Sequence, residues 1–225
     1  MEVLEPFEGG LPHMKFAFFF AALIGLSIGS QSHVSTLTKI TKAYKKAGYV
    51  QFQAEKIVTS ELMGKENRYK GTFFYSKGKL RWETTEPEKT LMVYDGTILW
   101  NVQYPSPDFP GDPQAGKSKI DKKNKQQVLL AEFIGLQNLD KNFEISEKEE
   151  NGEIIFNMKA KEKNTSITEA IIRVSKKDEK ILEISYPDEV GNMTKLKFLE
   201  TQINKKKKPE LFQYVPEKNA KVTEL

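Results

Sequence analysis

The chain contains no cysteine and only two histidines among its 225 residues. Without cysteine it forms no disulfide, offers no thiolate as nucleophile or metal ligand, and cannot itself be acylated on sulfur. Both histidines, His13 and His33, lie near the N-terminus, and none follows Val34. The remainder therefore has no imidazole to act as a general base or to hold zinc. Glycine-rich phosphate loops are missing too, since Gly9-Gly10 is isolated. The carboxylate pair Glu149-Glu150 sits in a charged hairpin region and reads as surface. These absences do not exclude Asp/Glu or Ser/Lys catalysis. No such constellation is recognisable, however, and the chain reads as a non-enzyme without cofactor or metal.

Charge of one sign is not in excess either. Thirty-five Lys and Arg against 31 Asp and Glu leave a formal net charge of +4, with the lysines scattered. That balance argues against a nucleic-acid partner. A long apolar run is also absent. The stretch from Phe16 to Ile28 falls short of the about 20 residues a membrane-spanning helix needs. Met14-Lys15 precedes it and Gly29-Ser30-Gln31-Ser32 follows, a basic start, apolar middle and small-residue end as in a secretory signal. An uncleaved anchor is the alternative. Glu2, Glu5 and Glu8 are out of place ahead of a signal, which makes Met14 the candidate translation start. Residues 1–32 are therefore expected to be an N-terminal extension and signal peptide, and 33–225 one exported domain.

What the sequence does have is alternation. Between Gly71 and Trp100, short runs alternate apolar with other residues, the signature of strands with one buried face. Leu80 and Trp82 share one face; Lys79, Arg81 and Glu83 share the other. Ile98, Trp100 and Val102 share a face in a later run. Gly78 and Asp95-Gly96 fall where tight hairpins need positive φ. Before this stretch, Leu37, Ile40, Tyr44 and Ala47 form one stripe of a helix expected to start near Ser35-Thr36 and to end at Gly48. Val50, Phe52 and Ala54, then Tyr69, Gly71, Phe73 and Tyr75, mark two more strands.

After Tyr104 the pattern breaks into an irregular proline- and glycine-rich loop extended by charge to Lys125. Gln127 to Gly135 reads as an apolar helix and is the candidate lid. Strands then resume around Phe143-Ile145, Ile154-Phe156-Met158, Ala170-Ile172-Val174, Leu182-Ile184-Tyr186 and Thr194-Leu196-Phe198. The turns between them are at Asn151-Gly152, Lys177-Asp178 and Gly191-Asn192. Lys205 to Lys208 reads as a solvated turn, and Leu211 to Val215 as a closing strand. The expected fold is mainly β with α: a single curved antiparallel sheet or half-open barrel of about eleven strands, lidded by two or three helices.

The order of these motifs resembles the outer-membrane lipoprotein carrier family (LolA-like). The resemblance is carried by Phe52-Gln53, Gly71 with its aromatic strand, Gly78-Lys79-Leu80-Arg81-Trp82-Glu83, Pro87, Asp95-Gly96 with Leu99-Trp100, and Leu211-Phe212-Gln213-Tyr214-Val215-Pro216. It implies a periplasmic, monomeric chaperone for acylated lipoproteins. The implied partners are an inner-membrane ATP-driven release complex and an outer-membrane acceptor. It also implies an acyl-binding cavity lined by Phe52, Phe73, Tyr75, Leu80, Trp82, Val93 and Trp100, covered by Leu129, Leu130, Phe133 and Ile134. Leu80 matches a family position tied to correct lipoprotein handling, and Trp82 a cavity tryptophan. One departure stands out. The family often has an arginine before a proline ahead of Gly78, tying barrel to lid; here Ser76 and Lys77 occupy those places. The alternatives are a periplasmic binding protein for another lipid or glycolipid, a hydrolase of envelope lipid, and a purely structural envelope protein.

Overall fold

The computed structural model describes residues 32–120, 136, 138–162, 167–188 and 191–224, all within the compact unit Gln31–Leu225. The expected signal and the candidate lid helix lie outside the described residues.

Helix α1 (Ser32–Lys46) opens the domain, three residues earlier than expected. Nothing in Ser32-His33-Val34 breaks a helix, so it extends back to a further short polar residue. Its buried stripe is Leu37, Ile40, Tyr44 and Ala47. Twelve strands follow: β1 (Tyr49–Thr59), β2 (Glu66–Ser76), β3 (Lys79–Glu86), β4 (Thr90–Tyr94), β5 (Ile98–Gln103), β6 (Gln114–Lys119), β7 (Phe143–Glu150), β8 (Glu153–Ala160), β9 (Glu169–Ser175), β10 (Lys180–Pro187), β11 (Met193–Asn204) and β12 (Lys221–Glu224). A single turn of helix, α2 (Leu139–Asn142), leads into β7.

All twelve form one sheet in the order β12-β6-β5-β4-β3-β2-β1-β11-β10-β9-β8-β7. Two meanders, β1–β6 and β7–β11, join where β1 pairs antiparallel with β11. Tight turns make this possible. Lys77-Gly78 and Asn151-Gly152 have positive φ at both central residues, the geometry that matches strand twist in two-residue hairpins. Helix α1 touches both β2 and β7, six places apart in the sheet, so the sheet curves around it.

Two strands escaped the alternation and one expected strand is not there. Strand β6 lies in the loop expected to be irregular, and β12 has four exposed residues. Neither has an apolar run to announce it: β6 buries only Ala115, and β12 joins by pairing parallel to β6. The closing strand expected at Leu211–Val215 is instead a 3₁₀ turn, Pro209–Phe212, followed by extended chain. Pro209 presets the first turn position. β1 and β11 already have partners on both sides, so that segment lies across the sheet rather than beside it.

Period 2 then sorts the side chains. On the inner face, which carries α1, Val50, Phe52 and Ala54 meet Tyr75, Phe73 and Gly71 across the β1–β2 ladder. Phe156, Ile172 and Ile184 continue that face through β8–β10. These residues belong to one buried cluster with Leu37, Ile40 and Tyr44. The outer face carries two smaller clusters, one around Tyr49, Phe74 and Phe212, the other around Leu91, Val93, Val102 and Ala115.

Gly71 shows how tightly β2 and β3 approach. A Cβ there would run into the Glu83 carbonyl oxygen. Gly71→Ala is therefore expected to lower stability by about 1–3 kcal/mol, because backbone rather than a flexible side chain must move. Urea unfolding of the two proteins checks this; an unchanged midpoint would mean that the ladder yields freely.

Candidate functional site

The inner face presents a patch of aromatic side chains where β1, β2, β3 and β11 meet. Phe52 lies 4.5 Å, centroid to centroid, from Phe198 and 5.9 Å from Phe73. Phe73 in turn lies 6.3 Å from Trp82. Trp82 is directly opposite both Phe73 on β2 and Met92 on β4. A cavity of about 100 Å³ opens beside this patch. Its walls are aromatic (Phe73, Trp82, Phe198) and aliphatic (Met92, Ile184, Leu196), with Lys56, Tyr186 and Thr194 supplying polar groups.

Lys56 is the unexpected member. It follows Val50, Phe52 and Ala54 on the buried parity of β1, facing Tyr69 on β2 and Leu196 on β11. Its Nζ lies 5.9 Å from the centre of the Tyr69 ring. Burial pushes the ammonium pKa below its ordinary value. Burial also pushes the Tyr186 hydroxyl up to about 12, with the Asp188 charge adding to it, so that phenol stays protonated. The parity of β1 already placed a lysine on the apolar face; the sequence reading did not single it out.

Of the expected lining residues, Phe52, Phe73, Tyr75, Leu80 and Trp82 share the inner face. Phe73 and Trp82 line the cavity itself. Val93 and Trp100 do not join them. Val93 pairs with Arg81 and Trp100 with Val93, which puts both on the outer face with Leu91 and Val102. The physical reason is register: Met92, not Val93, is opposite Trp82. Trp100 instead meets Tyr214 edge-on at 5.2 Å. Leu129, Leu130, Phe133 and Ile134 lie outside the described residues.

Ser76 donates from Oγ to the Gly48 carbonyl at 2.7 Å, linking β2 to the chain just after α1. Arg81 is on the outer face. Its Nε donates to Glu83 at 2.6 Å, and Nη1 to the Leu211 carbonyl at 3.3 Å.

Two larger hollows, about 440 and 400 Å³, are open grooves with charged rims. One crosses the ends of β7–β11 from Glu144 to Met193; the other lies between Arg81, Lys89 and Tyr104. The smaller inner cavity is the better candidate, because its walls are continuous with the aromatic core. Tyr186 borders both the inner cavity and the groove at the strand ends. Among the described residues no cluster of His, Cys, Asp and Glu could hold a metal, and no helix is long and apolar enough to cross a membrane.

Comparison with known families adds a decisive match. The family described as outer membrane lipoprotein carrier protein LolA matches residues 46–215. This chain belongs to the LolA family. An outer-membrane lipoprotein carrier protein of Chromobacterium violaceum is 23% identical over 208 residues, spanning 92% of this chain and 96% of that protein. A protein of the same description from Azotobacter vinelandii is 28% identical over 127 residues, spanning 56% of this chain and 58% of its own length. Among solved structures, an uncharacterized conserved protein from Thermus thermophilus superposes with a TM-score of 0.50 at 15% identity, covering 87% of this chain and all of that one. That likeness concerns the fold alone. The LolA family match takes in α1's last residue, β1 to β11 and the 3₁₀ turn, and so includes the whole inner cavity.

Proposed function

We propose that this protein is a periplasmic carrier that shields the acyl chains of lipoproteins against its inner face and delivers them from the inner to the outer membrane. The observation that carries the reading is the apolar cavity bordered by Phe73, Trp82 and Phe198 in a LolA-family chain. The physical need is plain. Each CH₂ withdrawn from water is worth about 0.8 kcal/mol, so an acyl chain crossing an aqueous space requires an apolar host. On this reading residues 1–32 contain the export signal, and the protein works as a monomer. It receives cargo from an ATP-driven release complex, hands it to an outer-membrane acceptor, and catalyses no reaction.

The cavity volume of about 100 Å³ is below the about 300–1,000 Å³ typical of ligand pockets. Loading therefore requires expansion. Met92, an adaptable side chain in the cavity wall, is the residue best suited to yield. The same small volume favours a second reading, a structural envelope protein without cargo.

Native mass spectrometry of protein purified gently from the periplasm, with and without co-expressed release machinery, separates these readings. The carrier predicts a bound triacylated lipoprotein, reduced about tenfold or more by Leu80→Glu, a charge on an apolar face. Met92→Trp, which fills the cavity from a half-buried position, is expected to reduce cargo without unfolding the chain. A small lipid or glycolipid as sole ligand would replace the lipoprotein reading. An apo mass in both samples would favour the structural one.

A further inference from the structure

We propose that Lys56 is a headgroup-recognising residue of the inner cavity and gives it a second class of ligand beside lipoprotein acyl chains: amphiphiles whose acyl chain ends in an oxyanion, a carboxylate or a phosphate. This rests on the acyl-binding cavity of the reading above and goes beyond its cargo, whose ester- and amide-linked chains carry no such oxyanion.

The placement is the argument. A lysine on a strand ordinarily takes the solvent face, where its ammonium stays hydrated. Here Lys56 shares the parity of Phe52 and Ala54 and lines the cavity, while its neighbours Glu55 and Ile57 take the other face, where Ile57 is itself buried. The strands on each side offer it no counter-charge: its partners are Tyr69 and Leu196. Nearby acids are committed elsewhere. Glu55 lies on the outer face and binds Arg68 at 3.0 Å, and Asp188 accepts from the backbone and side-chain nitrogens of Asn192 at 2.8 and 2.9 Å. Among the described residues the Lys56 ammonium has no ion pair, only the Tyr69 ring. A cation held beside an apolar cavity without an internal carboxylate is stabilised by an anion that arrives with the ligand. Thr194 and the protonated Tyr186 hydroxyl, in the same wall, add neutral polar groups beside it.

A ligand so bound lays its chain along Phe73, Trp82 and Phe198 and its head against Lys56. The uncharged analogue of equal length keeps the apolar contacts and loses the charge-assisted hydrogen bond. That difference corresponds to about tenfold or more in affinity.

The test titrates the purified protein and its Lys56→Met and Lys56→Arg variants with dodecanoate, dodecyl phosphate and 1-dodecanol, reading occupancy by native mass spectrometry and affinity by calorimetry. Methionine keeps the apolar stem of the side chain, so the fold should persist. The expected result is that one or both anions bind the parent about tenfold or more tighter than the alcohol. Lys56→Met should abolish the preference, so that this variant binds the anions no more tightly than it binds the alcohol, and Lys56→Arg should retain it. Whichever anion binds more tightly identifies a fatty-acid or a phospholipid-type head as the source of the oxyanion. Equal binding of all three by the parent, or an anion preference that survives Lys56→Met, overturns the inference and leaves the acyl cavity standing. Binding of none overturns the acyl-site reading and this inference with it.

Discussion

Phe52→Ala is expected to cost about 3–5 kcal/mol of stability, the range for truncating a fully packed aromatic side chain. Phe52 is 2% exposed and occupies the junction of α1, β2 and β11. Its ring meets Tyr44 of α1 at 5.7 Å, Phe73 of β2 at 5.9 Å and Phe198 of β11 at 4.5 Å. Strand β1, which carries it, is the seam between the two meanders. The neighbours cannot collapse into the space easily, because each is fixed to a different strand or to the helix. The measurement is urea unfolding at constant pH, comparing midpoints and slopes. A lower midpoint with an unchanged slope is the expected pattern. A cost under about 1 kcal/mol would mean that α1 and β11 repack around the gap, as a loosely filled carrier core would.

The inner face was legible in the sequence wherever a strand alternated cleanly. Val50-Phe52-Ala54, Phe73-Tyr75, Leu80-Trp82, Ile172-Val174 and Leu196-Phe198 could each be assigned from parity, and all face α1. Parity failed where both sets of positions are apolar. In Leu91-Met92-Val93-Tyr94 either face reads as buried, and both are: Leu91 and Val93 outward, Met92 and Tyr94 inward. The β3–β4 register decides, and a sequence carries that only through the length of the connection. It failed again in β10. A register shift between Ile181 and Glu183 puts Ile181, rather than Leu182, opposite Val174. Strands β6 and β12 had no apolar pattern to find. Lys56 was legible by the same parity as Phe52, but the eye passes over a lysine among charged neighbours.

Phe212→Ala carries the other large effect, about 3–5 kcal/mol, and it acts from the opposite side of the sheet. The segment after β11 crosses the outer face. Phe212, 2% exposed, packs with Tyr49 and Phe74; Tyr214 meets Trp100; and β12 then adds to the edge of β6. Arg81 is held to the same segment through the Leu211 carbonyl. Removing residues 209–225 should therefore cost more than the single substitution, because Tyr49, Phe74 and Trp100 lose their cover together. Thermal unfolding and binding of an apolar dye test both proteins. The expected result is a lowered midpoint for Phe212→Ala and, for the truncation, a larger drop with dye bound to the uncovered outer face. Ligand preference in the inner cavity should remain as in the parent wherever the chain is folded, since Phe212 and Trp82 lie on opposite sides of the sheet. A truncated chain as stable as the parent would show that the sheet holds its outer face without the crossing segment. A changed ligand preference in folded Phe212→Ala would show instead that the two faces are mechanically coupled through β1–β3.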